Sequence, residues 1–229
     1  MGAVLDLVTV LSDPMGVFTR VRERPRVVGP LAGLIVGALC VAVALRPFYE
    51  AGVQAAMAHL TPQQLEKAPS AATQATIGIV LYPLSYVPML LVGALFLWIN
   101  VLLLAGDANY HTLLSVLAYA FVSFLLFSAV SAVVLWLRGP ESIVAMEDLR
   151  PALGLDLLYS GDSRFVGALL NAVNPFSVYG VWLTGVGVAV TQGTSRATGY
   201  TAAGISYFVA ALILSGLATL QGAVGAPQS

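Results

Sequence analysis

Long apolar stretches separated by short polar segments dominate the chain. Five of these apolar runs have no charged residue in their middle, and they cover residues 27–47, 76–105, 112–137, 175–192 and 199–224. A transmembrane helix needs about 20 mostly apolar residues to cross a hydrocarbon core of about 30 Å. The pattern therefore predicts an all-α integral membrane protein, a bundle of five transmembrane helices with additional interfacial amphipathic helices.

The second run is too long for one straight span, because a helix over residues 76–105 would extend about 45 Å. It contains Pro83 and Pro88 within the sequence YPLSYVP. Each proline removes a backbone donor and disturbs the preceding turn. We expect a helix break here, either as a kink in one span or as a short interfacial piece followed by a span from about residue 87.

A second break is predicted where the fourth run begins, at Asn174 and Pro175. Asparagine is a favourable N-cap, and proline fits the first helical position because no N–H is needed there. The preceding residues, 163–173, then form a separate short helix with one apolar face, which suits the membrane surface.

The remaining segments lie between or before the spans. Val4, Leu5, Val8 and Leu11 share one side of residues 1–14, which predicts a helix lying along the membrane surface. Residues 48–75 are expected to form a polar loop, and two short helices are expected within 140–149 and 152–161.

We divide the chain into three parts on this basis. Residues 1–26 are an amphipathic, basic and cytoplasmic N-terminal segment, residues 27–224 are the five-span domain, and residues 225–229 are a short C-terminal tail.

Composition strengthens the membrane assignment. Apolar residues make up 59% of the chain and charged residues 9%, against roughly 25% charged residues in an ordinary soluble domain. The net charge of −1 excludes a nucleic-acid-binding protein, which needs a broadly basic surface.

Four of the ten basic residues precede the first span at alternate positions, namely Arg20, Arg22, Arg24 and Arg26. Arginines in short flanking segments favour the cytoplasmic side of a membrane. Each one near an anionic surface contributes on the order of 1 kcal/mol. We therefore interpret these arginines as a topology signal and a membrane-surface anchor, and we expect the N-terminus to be cytoplasmic.

Small residues mark the faces on which the helices are expected to pack. Gly29, Gly33 and Gly37 repeat at every fourth position of the first span, and Gly204 and Ser215 lie on one side of the last. Small residues allow helix backbones to approach closely in lipid, where the hydrophobic effect does not draw helices together. These faces pack either within the monomer, which we favour, or between two copies of the chain.

Few residues are candidates for chemistry. The candidate polar site comprises Tyr82, Tyr86 and Asn100 in the second run and Asp107, Asn109 and His111 in the loop that follows. The loop contains carboxylate, amide and imidazole groups that metals bind, but the other histidine, His59, is in the loop predicted on the opposite side. We predict a polar turn that caps a helix near His111, with no metal and no cofactor.

Catalytic patterns are missing from the sequence. There is no Gly-x-Ser-x-Gly elbow, no helical histidine pair with a glutamate, and no charged residue in the middle of a span. We therefore predict no catalytic residues and a protein that is not an enzyme.

Three stretches of the chain resemble motifs of a known protein family. They are Asp13, Pro14, Phe18, Arg24 and Pro25 before the first span, GDANYHTLLSVLAYA at the third, and NPFSVYGVWLTGVGVAVTQGTSRATGY across the fourth and the start of the fifth. Together they resemble the bacterial form of the Yip (Ypt-interacting protein) family of polytopic membrane proteins, over nearly the whole chain.

The resemblance implies five spans, a cytoplasmic N-terminus and, for a bacterial member, the cytoplasmic (inner) membrane. Eukaryotic members are associated with Golgi and vesicle membranes and with Rab-type GTPases. We identify no counterpart of their longer cytoplasmic N-terminal region in this sequence, and an interaction with a GTPase stays open.

The leading functional prediction is a non-enzymatic polytopic membrane protein that organises membrane lipid or partner proteins. The alternative is a small transporter or channel, with a polar path from Tyr82, Tyr86 and Asn100 to the hydroxyls of the third span. A third hypothesis is an enzyme that uses Asp107 and His111. Membrane lipids are the expected partners, other membrane proteins or a second copy of the chain stay open, and nucleic acid is excluded.

Overall fold

The computed structural model describes residues 2–224, with the side chains of all of these except residues 3, 218 and 220–224. The described residues form α-helices and short 3-10 turns, without any β-strand, which confirms the all-α prediction. The predicted tail, residues 225–229, lies outside the described residues.

Twelve α-helices follow one another along the described chain. They are α1 (Gly2–Thr9), α2 (Pro14–Glu23), α3 (Val28–Ala44), α4 (Arg46–Met57), α5 (Pro62–Lys67), α6 (Ala71–Leu84), α7 (Tyr86–Ala105), α8 (Tyr110–Ala120), α9 (Val122–Arg138), α10 (Arg164–Ala172), α11 (Pro175–Gln192) and α12 (Arg196–Val224). Three 3-10 turns, at Pro140–Ser142, Met146–Leu149 and Leu155–Leu158, lie between α9 and α10.

Three helical stretches of the described chain are long and apolar enough to cross a membrane, namely Ala71–Ala105, Tyr110–Arg138 and Arg196–Leu217. Two bent pairs qualify if each pair counts as one span. These pairs are α3 with α4, bent by 64°, and α10 with α11, bent by 55°. With both pairs included, the count reaches the five spans that the sequence predicts.

The second apolar run lies within one helical stretch of 35 residues, Ala71–Ala105, in which Ser85 alone separates α6 from α7. Pro83 lies inside α6 and Pro88 in the first turn of α7. The Ser85 amide still donates to the Leu81 carbonyl at 3.1 Å, so helical hydrogen bonding resumes directly after Pro83. Of the two forms of break that we considered, a separate interfacial piece is not found.

The polar loop predicted over residues 48–75 is wrong. Most of this stretch is helical, in α4, α5 and the start of α6. Phe48, Gly52 and Val53 are buried on one side of α4, and Thr61 and Ser70 cap the two helices that follow. Polar residues on the exposed sides of these short helices gave the stretch its loop-like composition.

The contacts divide the chain into two compact units. The first unit comprises residues 2–31, 89–124 and 152–224 of the described chain, and the second comprises Ala32–Pro88 and Leu125–Pro151. In the second unit, α4 packs against α6 and against the 3-10 turns after α9. Its core contains Leu45, Phe48 and Leu135.

The first unit is organised around α11, which packs against α2, α8 and α12. Glycines permit this crowding: a Cβ at Gly185 would overlap Tyr200 of α12, and a Cβ at Gly187 would overlap Val116 of α8. From the other side, a Cβ at Gly199 of α12 would meet the Gly185 carbonyl. The absence of side chains at these positions therefore brings the backbones of neighbouring helices close together.

We expect Gly187→Ala to destabilise the protein, because the added methyl group overlaps Val116 and overpacking of this kind costs about 1–3 kcal/mol. Gly204→Ala is the matched control, since a Cβ at Gly204 meets no atom within 4 Å. Denaturation of the detergent-solubilised protein measures both variants. Equal stability of the two would contradict the packing role of Gly187.

Candidate functional site

The predicted polar residues lie in two different units. Tyr82 and Tyr86 belong to the second unit, whereas Asn100, Asp107, Asn109 and His111 belong to the first. Each group therefore has its own surroundings.

Tyr82 and Tyr86 form a small hydroxyl cluster in the second unit. The Tyr82 hydroxyl shares a hydrogen bond of 2.7 Å with the Ser128 hydroxyl of α9. The rings of Tyr82 and Tyr86 meet edge to face with centroids 6.0 Å apart, and Tyr86 is buried. These hydroxyl groups link α6, α7 and α9.

Asn100 connects two membrane helices of the first unit. Its Nδ2 donates to the Phe96 carbonyl at 2.9 Å and to the Ser206 Oγ of α12 at 3.1 Å. The amide thereby satisfies its donors inside the apolar helices, where an unpaired polar group is costly. Its hydrogen bonds attach α7 to α12.

The loop after α7 serves as a helix cap. Asn109 Oδ1 accepts from the Thr112 amide at 3.0 Å, and the Asn109 amide donates to Gln192 Oε1 at 3.0 Å. Asp107 and His111 are exposed. Within residues 2–224, no three His, Cys, Asp or Glu side chains come close enough together to hold a metal ion.

The hydroxyls predicted to line a polar path on the third span are engaged in packing. Ser115 Oγ accepts from the Arg26 amide at 2.9 Å and donates to the Arg26 carbonyl at 2.8 Å. Ser123 Oγ donates to the Ala120 carbonyl at 3.0 Å, and Tyr119 is buried. Ser115 thus fixes the backbone between α2 and α3 to α8.

The four N-terminal arginines are exposed. Arg20 and Arg22 lie in the last turn of α2 and Arg24 is its C-cap, so their charges interact favourably with the helix dipole. Arg20 forms an ion pair of 2.6 Å with Asp6 of α1. The hydrogen bond that the Arg20 guanidinium donates to the Asp6 carboxylate raises the pKa of Arg20, and the pair holds α1 against α2.

The predicted packing residues have different surroundings. A Cβ at Gly37 would lie 2.7 Å from Leu125 Cδ2, whereas the space beside Gly204 is open. Ser215 is buried, and Gly29 and Gly33 are half-buried positions of α3. The glycines of α11 were not among the predicted packing residues, although the spacing in YGVWLTGVGV is a signal of close helix contact.

The start of α11 is held by a reciprocal cap. Asn174 Oδ1 accepts from the Ser177 amide at 2.9 Å, and the Asn174 amide donates to Ser177 Oγ at 3.1 Å. Pro175 occupies the first helical turn. One turn later, the Tyr179 hydroxyl donates to the Leu11 carbonyl at 2.8 Å, so α11 also positions the link between α1 and α2.

An open apolar cleft of about 740 Å³ lies beside the first half of α11. Its walls are Val178, Tyr179 and Trp182 of α11 and the segment around Leu155. The rings of Tyr179 and Trp182 stack with centroids 5.5 Å apart. The cleft therefore has a flat aromatic wall and few polar groups.

A second cleft, of about 320 Å³, lies beside the other half of α11. Trp182 lines both clefts, and the second continues past Val190 to Thr194 and Arg196, with Met15 of α2 at its border. Sequence reasoning did not select these residues, since a lone aromatic residue in an apolar run carries no distinctive signal.

Comparison with known proteins gives the family. The model of the Yip1 domain matches residues 8–219, which includes α2 and nearly all of the apolar runs but only the last two residues of α1. The chain is also 28% identical over 216 residues to "Membrane protein YknW" of Bacillus subtilis (strain 168), covering 91% of this chain and 84% of the relative. No solved structure is significantly similar. The chain is an integral membrane protein that belongs to the Yip1 family.

Proposed function

We propose that this protein organises membrane lipid without acting as an enzyme, from the cytoplasmic leaflet of a bacterial cytoplasmic membrane. The observation that carries the proposal is the apolar face that α1 leaves uncovered. Val4, Leu5 and Val8 are 51%, 66% and 67% exposed on this short helix.

The opposite side of α1 is attached to the protein. Leu7 and Val10 are buried, and Asp6 forms the ion pair with Arg20 of α2. An amphipathic helix held in this way buries its apolar face among the headgroups and upper acyl chains of one leaflet. Because α1 is tied to the rest of the chain, its insertion would order lipid at a fixed place beside the spans.

The arginines supply the matching electrostatic contact. Arg22 and Arg24 are exposed at the end of α2, and basic groups at an anionic membrane surface each contribute about 1 kcal/mol. Arginines in short segments beside a span favour the cytoplasmic side of a membrane, which supports the proposed orientation of the N-terminus.

No observation favours the transporter alternative. Tyr82 and Asn100 belong to different units and each has a hydrogen-bond partner within its own unit. The enzyme hypothesis also gains no support, because Asp107 in the loop and His111 in the first turn of α8 are exposed, and no third His, Cys, Asp or Glu of residues 2–224 joins them in a group.

We expect a fluorophore on α1 to enter the bilayer. In a Cys40→Ser background, Val8→Cys labelled with an environment-sensitive dye should show blue-shifted emission in liposomes. It should also be quenched several-fold more by brominated acyl chains than Thr19→Cys, an exposed position of α2. Identical spectra at the two positions would overturn the proposal.

The orientation has its own test with the same cysteine-free background. Gly2→Cys should resist a membrane-impermeant maleimide in intact cells and react after permeabilisation. His59→Cys, exposed after α4 and expected on the other side, should react in both conditions. Labelling of Gly2→Cys in intact cells would show that the N-terminus is outside.

A further inference from the structure

The two clefts along α11 share Trp182, and together they provide an apolar part and, at Arg196, a cationic end. We consider the two clefts together as one surface. We infer that this surface binds one phospholipid, with an acyl chain along Val178, Trp182 and Val190 and the phosphate at Arg196. The inference rests on the proposed role in lipid organisation and names a defined site for the lipid. All residues of the surface belong to the first unit.

The positions that α11 contributes follow a shallow spiral along the helix, because residues four apart are offset by about 40°. Val178, Trp182, Val186 and Val190 recur at every fourth residue, and Trp182 lines both clefts. From Val178 to Val190 the helix rises about 18 Å, whereas half of a bilayer core is about 15 Å. The surface is therefore as long as one acyl chain that extends through one leaflet.

The apolar part of the surface suits an acyl chain. Val178 is 60% exposed and Trp182 is 41% exposed, although both lie on a helix of a bent pair that is apolar enough to span a membrane. In a bilayer such a surface is covered by lipid. The stacked Tyr179 and Trp182 rings form a rigid wall against which an acyl chain gains dispersion contacts.

The other end of the surface is suited to a phosphate. Arg196 begins α12, is exposed, and forms no ion pair with any residue of the described chain. Guanidinium groups bind phosphate through paired, charge-assisted hydrogen bonds. Thr194 Oγ1, in the same cleft, is buried without a partner among the described residues, so this end also contains an unused hydrogen-bonding group.

The carboxylate that precedes the lining residue Pro14 forms no ion pair with Arg196. Asp13 precedes Pro14 at the edge of the second cleft, and its Oδ1 accepts from the Gly16 amide at 2.9 Å as the cap of α2. The charge at this end is thus available to a ligand, and it distinguishes a phospholipid from a neutral diacylglycerol.

Native mass spectrometry of the full chain in mild detergent tests the inference. Phosphatidylglycerol and diacylglycerol with identical acyl chains serve as the two probes. The wild type should retain phosphatidylglycerol several-fold better. Arg196→Gln should remove this preference, and Val178→Trp, which fills the first cleft, should reduce retention of both probes several-fold.

Matched variants control for lipid that adheres without a site. Arg138→Gln removes an exposed arginine at a helix end, and Val133→Trp enlarges a valine that is 59% exposed. Both should retain lipid as the wild type does, and size-exclusion chromatography verifies that each variant is folded. Either Arg196→Gln with an unchanged preference or Val178→Trp with the same retention as Val133→Trp would overturn the inference.

The lipid-retention experiment and the dye experiment on α1 can fail independently of each other. A dye at position 8 that enters the bilayer, together with unchanged lipid retention in the variants, would reject the α11 site alone. A dye that stays in water would reject the proposed role of α1, whatever the retention at α11.

Discussion

The close approach of backbones at the glycines of α11 is the constraint on which the first unit depends. Lipid tails are as apolar as leucine, so membrane helices gain little by burying apolar side chains against each other. Dispersion contacts must replace that driving force, and they require short distances between the helices. Gly185 and Gly199 provide them where α11 meets α12, and Gly187 provides them where α11 meets α8.

Hydrogen bonds then fix the arrangement that the glycines permit. Ser115 holds the Arg26 backbone, Asn100 reaches Ser206, and Tyr179 holds the Leu11 carbonyl. Each of these groups would be costly to leave unpaired in an apolar environment. The polar residues of the spans therefore act as attachments between helices, and three separate sequence segments meet in the first unit because of them.

The sequence predicted those features that depend on interactions between residues close together in the chain. Apolar runs of sufficient length predict the membrane helices, and Asn174 followed by Pro175 predicts the start of α11, since both signals act within a few residues. The helices in 48–75 were missed because short amphipathic helices resemble loops in composition. The lipid-facing surface could not be predicted, because Arg196 and Met15 are far apart in sequence and only the docking of α2 on α11 places them at the same cleft.

The two faces of α11 have different tasks, and this difference connects packing to the proposed function. Five residues separate Trp182 from Gly187, which corresponds to about 140° around the helix at 3.6 residues per turn. Gly187 accordingly faces Val116 of α8 and Phe18 of α2, while Trp182 faces the two clefts where we infer the lipid. Because Tyr179, on the lipid side, also holds the Leu11 carbonyl next to α1, the inferred phospholipid site and the amphipathic helix are anchored to the same rigid element. Because its glycines fix α11 against its neighbours, α11 is able to hold the inferred phospholipid site and α1 at a constant distance from each other.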